Sequence, residues 1–269
     1  MTQAPSDWIK AAVAITPSFE VAGDPYMGVS GDFDDMGISC GALQWNIGKG
    51  SLQPMVKVVG RQVVTAAMPK FGEQLWAACN SSIAGGLAIV RSWQNGDRLK
   101  PDAREELRAF MGTPQMRAQQ DERIAKKAKV AFDMASEWAA HLPGGTPSKR
   151  SFCWFFDIVT QNGGLKGLTF EEVGEFLEQN KPDKADDFIC AFLKTRTGAT
   201  GHVQDAHKNA DLWRNNADGQ KLELLVMSYL RSETADPKWR HVVLNRKGAI
   251  AMGGGWVNGS HRKFSEHGL

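Results

Sequence analysis

The sequence predicts a mainly α protein (α+β) in which a small β-hairpin element interrupts a succession of helices. Three observations carry this expectation. Apolar residues recur at helical spacing along most of the chain. Glycines and short alternations such as Met27-Gly28-Val29 replace that rhythm between Tyr26 and Gln44. A breaker cluster, His141-Leu142-Pro143-Gly144-Gly145-Thr146-Pro147-Ser148, separates two helical stretches. A chain of 269 residues can bury a full core as one large domain or two lobes. The expected organisation is a single domain over 1–269, with a lobe hinge near 141–150.

Ser6 or Asp7 is placed to cap a first helix, with Trp8, Ala12, Ile15 and Phe19 on one side. Pro17 removes a backbone donor and should bend or tighten the last turn. Glu20 then falls at or just beyond the helix end, ahead of Gly23-Asp24-Pro25. After the small sheet, helical periodicity resumes over 57–67, 71–80 and 83–93, starts again at Pro101, and runs long from Pro114 to Leu142. Ser151 to Gln161 reads as an aromatic-rich helix. Thr169 and Glu172 form a capping-box pattern ahead of a helix ending near Asn180. Further helices are expected over 184–195, 201–215 and 219–233. The glycine-rich tail, 248–259, reads as a loop or short strand packed back on the body. Neither repeats nor low-complexity segments occur.

Composition narrows the function classes. Lys and Arg total 32 against 30 Asp and Glu, so overall charge carries no nucleic-acid signature. A hydrophobic share of 42% with nine tryptophans argues for an ordered core. Cys40, Cys79, Cys153 and Cys190 lack metal-ligand spacing and read as reduced, buried thiols of a protein made in a reducing cytoplasm. The six histidines show no helical metal pairing. No metal is expected. Neither a Walker loop, nor a dinucleotide fingerprint, nor a serine nucleophile elbow is present, and no cofactor is expected. The polar N-terminus lacks a signal-peptide pattern, and the apolar run 11–15 is too short to insert in a membrane. Any action outside the cytoplasm would need another delivery route.

The chemistry concentrates in Glu20 and the segment Gly31-Asp32-Phe33-Asp34-Asp35-Met36-Gly37-Ile38-Ser39-Cys40-Gly41-Ala42-Leu43-Gln44-Trp45-Asn46. A helix C-terminus and apolar neighbours favour a protonated carboxyl at Glu20, as a general acid requires. Asp32, Asp34 and Asp35 fit a wet turn, a cation site or an active cleft. Asp32-x-Asp34-x-x-Gly37 opens like a calcium loop, but its twelfth position is Leu43, so the bidentate acid is missing. An acid facing a second carboxylate, with polar and aromatic groups nearby, is what glycosidic hydrolysis needs. Gln44 and Asn46 could bond sugar hydroxyls, Trp45 could stack on a pyranose, and Ser39 could hold a water or merely satisfy backbone groups. The basic C-terminus, including Arg240, Arg246 and Lys247, reads as a solvated face.

Gly41-Ala42-Leu43-Gln44 resembles the Gly-x-x-Gln element of goose-type lysozymes and related lytic transglycosylases. Asp34 followed by Gly37 and Gly41 is similar to the aspartate and glycine spacing of family 46 chitosanases. Trp154-Phe155-Phe156-Asp157 resembles the aromatic-aromatic-Asp helix of those chitosanases, which implies Gln161 and Asn162 as sugar contacts. The glutamate, the Gly-Asp-Phe-Asp segment, the Gln-Trp-Asn run and the tail around Trp256 also resemble muramidase domains of type VI secretion effectors and phage endolysins. The specific motifs lie within about the first fifty residues.

The resemblance implies a lysozyme-like two-lobed fold that cleaves the MurNAc–GlcNAc strand of peptidoglycan by inversion, without a cofactor. It implies Glu20 as acid and Asp34 as second carboxylate. Asp35 and Asp32 stay open as alternatives, Asp35 standing where a turn glycine is expected. Implied partners are peptidoglycan glycan strands, with a cognate immunity protein or a secretion spike protein, and neither nucleic acid nor membrane insertion. The implied place of action is the periplasm or cell wall, after delivery by a secretion system or phage lysis. A lytic transglycosylase, a chitosanase and a non-enzymatic wall-binding module remain the rival expectations.

Overall fold

A computed structural model of the chain describes residues 3–19, 23–141, 145–181 and 184–269. It is mainly helical with small antiparallel sheets, as the periodicity predicts. Helix α1 (Ser6–Ser18) starts after Pro5, and no side chain caps it; Asp7 instead pairs with Lys149 at 2.7 Å. Strands β1 (Val29–Ser30), β2 (Ser39–Cys40) and β3 (Trp45–Asn46) form one antiparallel sheet in that order. The helix predicted over 57–67 is two helices, α2 (Gln53–Val59) and α3 (Arg61–Ala67), because Gly60 sits between them at φ 90°. Helices α4 (Gly72–Asn80) and α5 (Ile83–Arg91) follow, then a hairpin of β4 (Gln94–Asn95) and β5 (Arg98–Leu99) turning at Gly96. An Asn-Gly pair is a hairpin signal, here masked by the apolar run before it.

Helices α6 (Pro101–Met111) and the long α7 (Pro114–Ala139) come next. In α8 (Lys149–Asp157), Ser148 and Ser151 make a capping box. The helix then widens into a π-turn over Ile158–Asn162 that ends at left-handed Gly163. Helix α9 (Phe170–Asn180) carries the predicted Thr169–Glu172 capping box. It is followed by α10 (Ala185–Lys194), α11 (Gly201–Trp213), α12 (Gly219–Glu233) and α13 (Arg240–Met252). A hairpin of β6 (Gly254–Val257) and β7 (Ser260–Lys263) closes the chain. No described helix is long and apolar enough to cross a membrane.

The chain forms two compact units, residues 1–19 with 127–269 and residues 20–126. The expected hinge near 141–150 does not divide them. Its described residues fall inside the larger unit, where α8 packs on α1 and Trp8 meets Phe132 and Phe152 at 6.3 and 6.0 Å.

Helix α13 is the main departure from the sequence reading. It packs against α12 and α11 and buries Leu244, Ala249, Ile250 and Ala251. The closing hairpin is fastened to it through the buried Asn209, whose amide donates to the Trp256 carbonyl at 2.9 Å and to Asn245 at 3.0 Å, and accepts from the Trp256 amide at 2.6 Å. Both donors and the acceptor of one buried side chain are thereby used, which is how a polar group is tolerated in a core.

The smaller unit packs α2 through α6 beneath the three-stranded sheet, with Ile38, Ile47, Val90, Trp93 and Phe110 fully or nearly fully buried. Gln120, on the first half of α7, is also fully buried. It donates to the carbonyls of Tyr26 and Met111 and accepts from the Ala42 amide, each at 3.1 Å. One side chain thus ties three segments of this unit together.

Candidate active-site loop

The aspartates lie on the loop joining β1 to β2. Its two ends are clamped by one glutamine. Gln94 accepts from the Asp32 amide at 2.9 Å and donates to the Gly37 carbonyl at 2.7 Å. The Asp32 amide also reaches the Asp97 carbonyl of the β4–β5 turn at 3.1 Å. The Asp32 carboxylate accepts from the Gly37 amide and from Arg91 Nε, both at 2.5 Å, and its side chain is 12% exposed. Its oxygens are committed to closing the loop. Asp32 thus holds the turn.

Asp34 and Asp35 lie at the tip. Asp34 is exposed, and its carboxylate accepts from the Met36 amide at 3.3 Å, a local turn bond that leaves oxygen acceptors open. Asp35 has a side chain 95% exposed and sits 3.9 Å from Arg91. Its φ of 62° lies in the left-handed region, which is the reason a glycine is expected there. Phe33, beside Asp34, is 66% exposed. Nothing in the sequence pattern distinguishes it from a core phenylalanine; only its place at a loop tip does.

The motif glycines are explained by space and backbone together. Gly37 has φ 81°, and a Cβ there would meet Leu87 and Val90 at 2.7 and 2.8 Å. Gly41 has φ 74°, and its Cβ would lie 2.5 Å from Gln120 Oε1 and 3.0 Å from the Trp45 ring. The spacing shared by Asp34, Gly37 and Gly41 is thus the spacing of a loop pressed onto α5 and α7.

The expected sugar contacts divide. Gln44, half-buried at φ 55°, accepts from Ser30 Oγ at 3.2 Å and donates to the Gly41 carbonyl at 3.1 Å. Trp45 is 8% exposed, so it presents no ring face for a pyranose to stack on; its indole packs against Gly41 and belongs to the core. Asn46 is buried as well, donating to the Gln44 carbonyl and accepting from the Lys49 amide. Neither reaches out: their partners on β2, Ser39 and Cys40, are buried as well, so both faces of this strand pair are covered. Ser39 is buried, and its Oγ has no hydrogen-bond partner among the described residues. A buried hydroxyl left so calls for a water or a ligand group.

Gln161 and Asn162 belong to the larger unit, on the π-turn after α8. Gln161 is exposed, while Asn162 Oδ1 and Thr160 Oγ1 are buried without partners among the described residues. Short π segments within helices concentrate at functional sites.

At the start of that turn Asp157, fully buried, faces Arg246 at 2.9 Å and also pairs with Lys247. Burial alone would raise its carboxyl; the charges of Arg246 and Lys247 outweigh this and hold it down at about 2. Lys247 is pushed down to about 8 by burial, against the pull of Asp157. Arg246 donates to the Thr16 carbonyl at 2.8 Å, and its guanidinium stands 4.6 Å from the Phe19 ring. The expected solvated basic face is corrected here: Lys247 is enclosed with Asp157, and Arg246 links Asp157 to the last turn of α1. Helix α1 ends at Ser18, with the Phe19 amide bonded to the Pro17 carbonyl. Glu20 lies outside the described residues.

Among the described residues no three His, Cys, Asp or Glu side chains could together hold a metal ion. No protein-family model, curated protein or solved structure matches the chain.

Proposed function

We propose that the chain is a lysozyme-like muramidase, a glycoside hydrolase that cuts the MurNAc–GlcNAc bond of peptidoglycan by inversion. In this reading Glu20 protonates the leaving oxygen, and Asp34 deprotonates a water and offsets the oxocarbenium charge on the sugar. Phe33 offers an apolar face to a sugar ring, and Gln44 supplies a polar contact. Such an enzyme would act on the cell wall as an antibacterial effector or endolysin, delivered by a secretion spike or by phage lysis, with an immunity protein as the natural brake.

The observation that carries the reading is the 32–37 loop. Asp34 is an exposed carboxylate on a segment fastened at both ends by Gln94, Asp32 and Arg91. A catalytic base needs open oxygens in a fixed place, and that loop supplies both.

Muropeptide analysis of digested sacculi tests the proposal. The wild type should release fragments with reducing MurNAc ends, while Glu20→Gln and Asp34→Asn should each lose roughly 10²–10⁴-fold in rate. Wild-type lysis by Glu20→Gln would overturn the mechanism. Anhydro products would make the protein a lytic transglycosylase. Cleavage of chitosan in place of sacculi would make it a chitosanase, and binding without release a wall-binding module.

A further inference from the structure

In the larger unit, the end of α10 and the starts of α11 and α13 surround a pocket of about 520 Å³. That size suits a small molecule, since ligand sites commonly span roughly 300–1,000 Å³. Its walls carry Arg196, Lys238, His202 and His241, and none of the described lining residues is acidic. Thr200 caps α11 with its hydroxyl oxygen, accepting from the Val203 amide at 3.4 Å, and keeps its own proton to donate. His202 and His241 are second residues of their helices, so the positive ends of two thirteen-residue helices border the same space.

The cations here are poorly compensated. Arg196 makes no ion pair among the described residues. It donates to Thr195 Oγ1 at 2.9 Å and covers the Phe192 ring at 4.3 Å, and its Nε is buried without a partner. Lys238 has Asp236 at 3.5 Å, an exposed pairing of small worth. The neighbouring Arg240 is taken by Glu233. His241 is held below its usual range by burial first, then by His202 and Arg196, as expected where positive charge is in excess. Trp239, half of whose surface is exposed, stands at the rim and offers a ring face.

We propose that this pocket binds a soluble hexose phosphate. Arg196 and Lys238 pair with the phosphate, Thr200 and the first-turn amides of α11 donate to it, and the sugar stacks on Trp239. The site is separate from the hydrolytic reading above and does not depend on it.

Isothermal titration of the full chain with glucose 6-phosphate, inorganic phosphate and glucose tests this. Glucose 6-phosphate should bind saturably at one site, phosphate more weakly, and glucose not at all. Arg196→Gln and Lys238→Gln should each weaken glucose 6-phosphate about tenfold. Lys238 is exposed, so its replacement leaves folding intact if that of Arg196 does not. Trp239→Ala should weaken the sugar phosphate and spare inorganic phosphate. The His241 ring, followed by NMR, should titrate at higher pH once the ligand is bound. Absence of saturable glucose 6-phosphate binding, equal binding of glucose, or wild-type affinity in folded Lys238→Gln would overturn the proposal. Binding only to phosphatidic acid vesicles would overturn it too, in favour of a lipid headgroup.

Discussion

Asp157 shows how much one residue can carry. It is enclosed with two cations, so its removal leaves uncompensated charge inside the larger unit. Asp157→Ala should cost about 3–5 kcal/mol in denaturant unfolding. The pH dependence has a definite sign. The folded carboxyl sits at about 2, below its ordinary 3.8, so its contribution is complete above the higher value and is lost as pH falls through the lower one. The span corresponds to about 2 kcal/mol. Wild type should therefore lose stability between about pH 4 and pH 2 along a limb that Asp157→Asn lacks, as urea unfolding across that range would reveal. The sequence sets Asp157 directly after three aromatics, where an acid is tolerated inside only if it is paired. Its partners were not legible. Arg246 and Lys247 have the same composition signature whether solvated or enclosed, and only the packing of α13 decides between the two.

At the scale of elements, the aspartate loop is an exposed tip on a closed base. Gln94→Ala removes the clamp without touching Asp34. It should lower turnover on sacculi while leaving the circular dichroism spectrum unchanged, since the loop lies outside the helices. Gly41→Ala is harsher. A left-handed backbone costs an ordinary residue roughly 1–3 kcal/mol, and the new methyl meets Gln120 as well. The smaller unit should melt earlier, visible as faster amide exchange at Ala42, whose amide donates to Gln120. The sheet itself was readable from the change of rhythm after Tyr26, and the α9 cap from Thr169 and Glu172. The split at Gly60 was not, since apolar periodicity continues across it. Helix α13 escaped because its glycine and its basic residues hide the buried stripe. The tryptophan of the Gln-Trp-Asn run misled for the opposite reason: its position in a motif suggested contact, while its ring packs inward against Gly41.

For the whole molecule, the four cysteines are free and buried in both units. Burial pushes the thiols of Cys79, Cys153 and Cys190 up to about 12. All four should resist an aromatic disulfide reagent at neutral pH in the native protein and react together once it unfolds. A thiol that titrates rapidly under native conditions would contradict that. The division into units was not readable from the breaker cluster, because proline and glycine mark local chain reversals and carry no record of which helices pack together.

The discontinuity of the larger unit has a consequence for synthesis. Residues 20–126 form the smaller unit by themselves, whereas α1 belongs with segments made after them. On the ribosome residues 20–126 should gain a core before α1 does, while α1 waits with its apolar side uncovered until α8 and α13 arrive. Nascent chains arrested just after α7 should accordingly yield a protease-resistant fragment that begins after Phe19. Helix α1 is translated ahead of the smaller unit and folds after it.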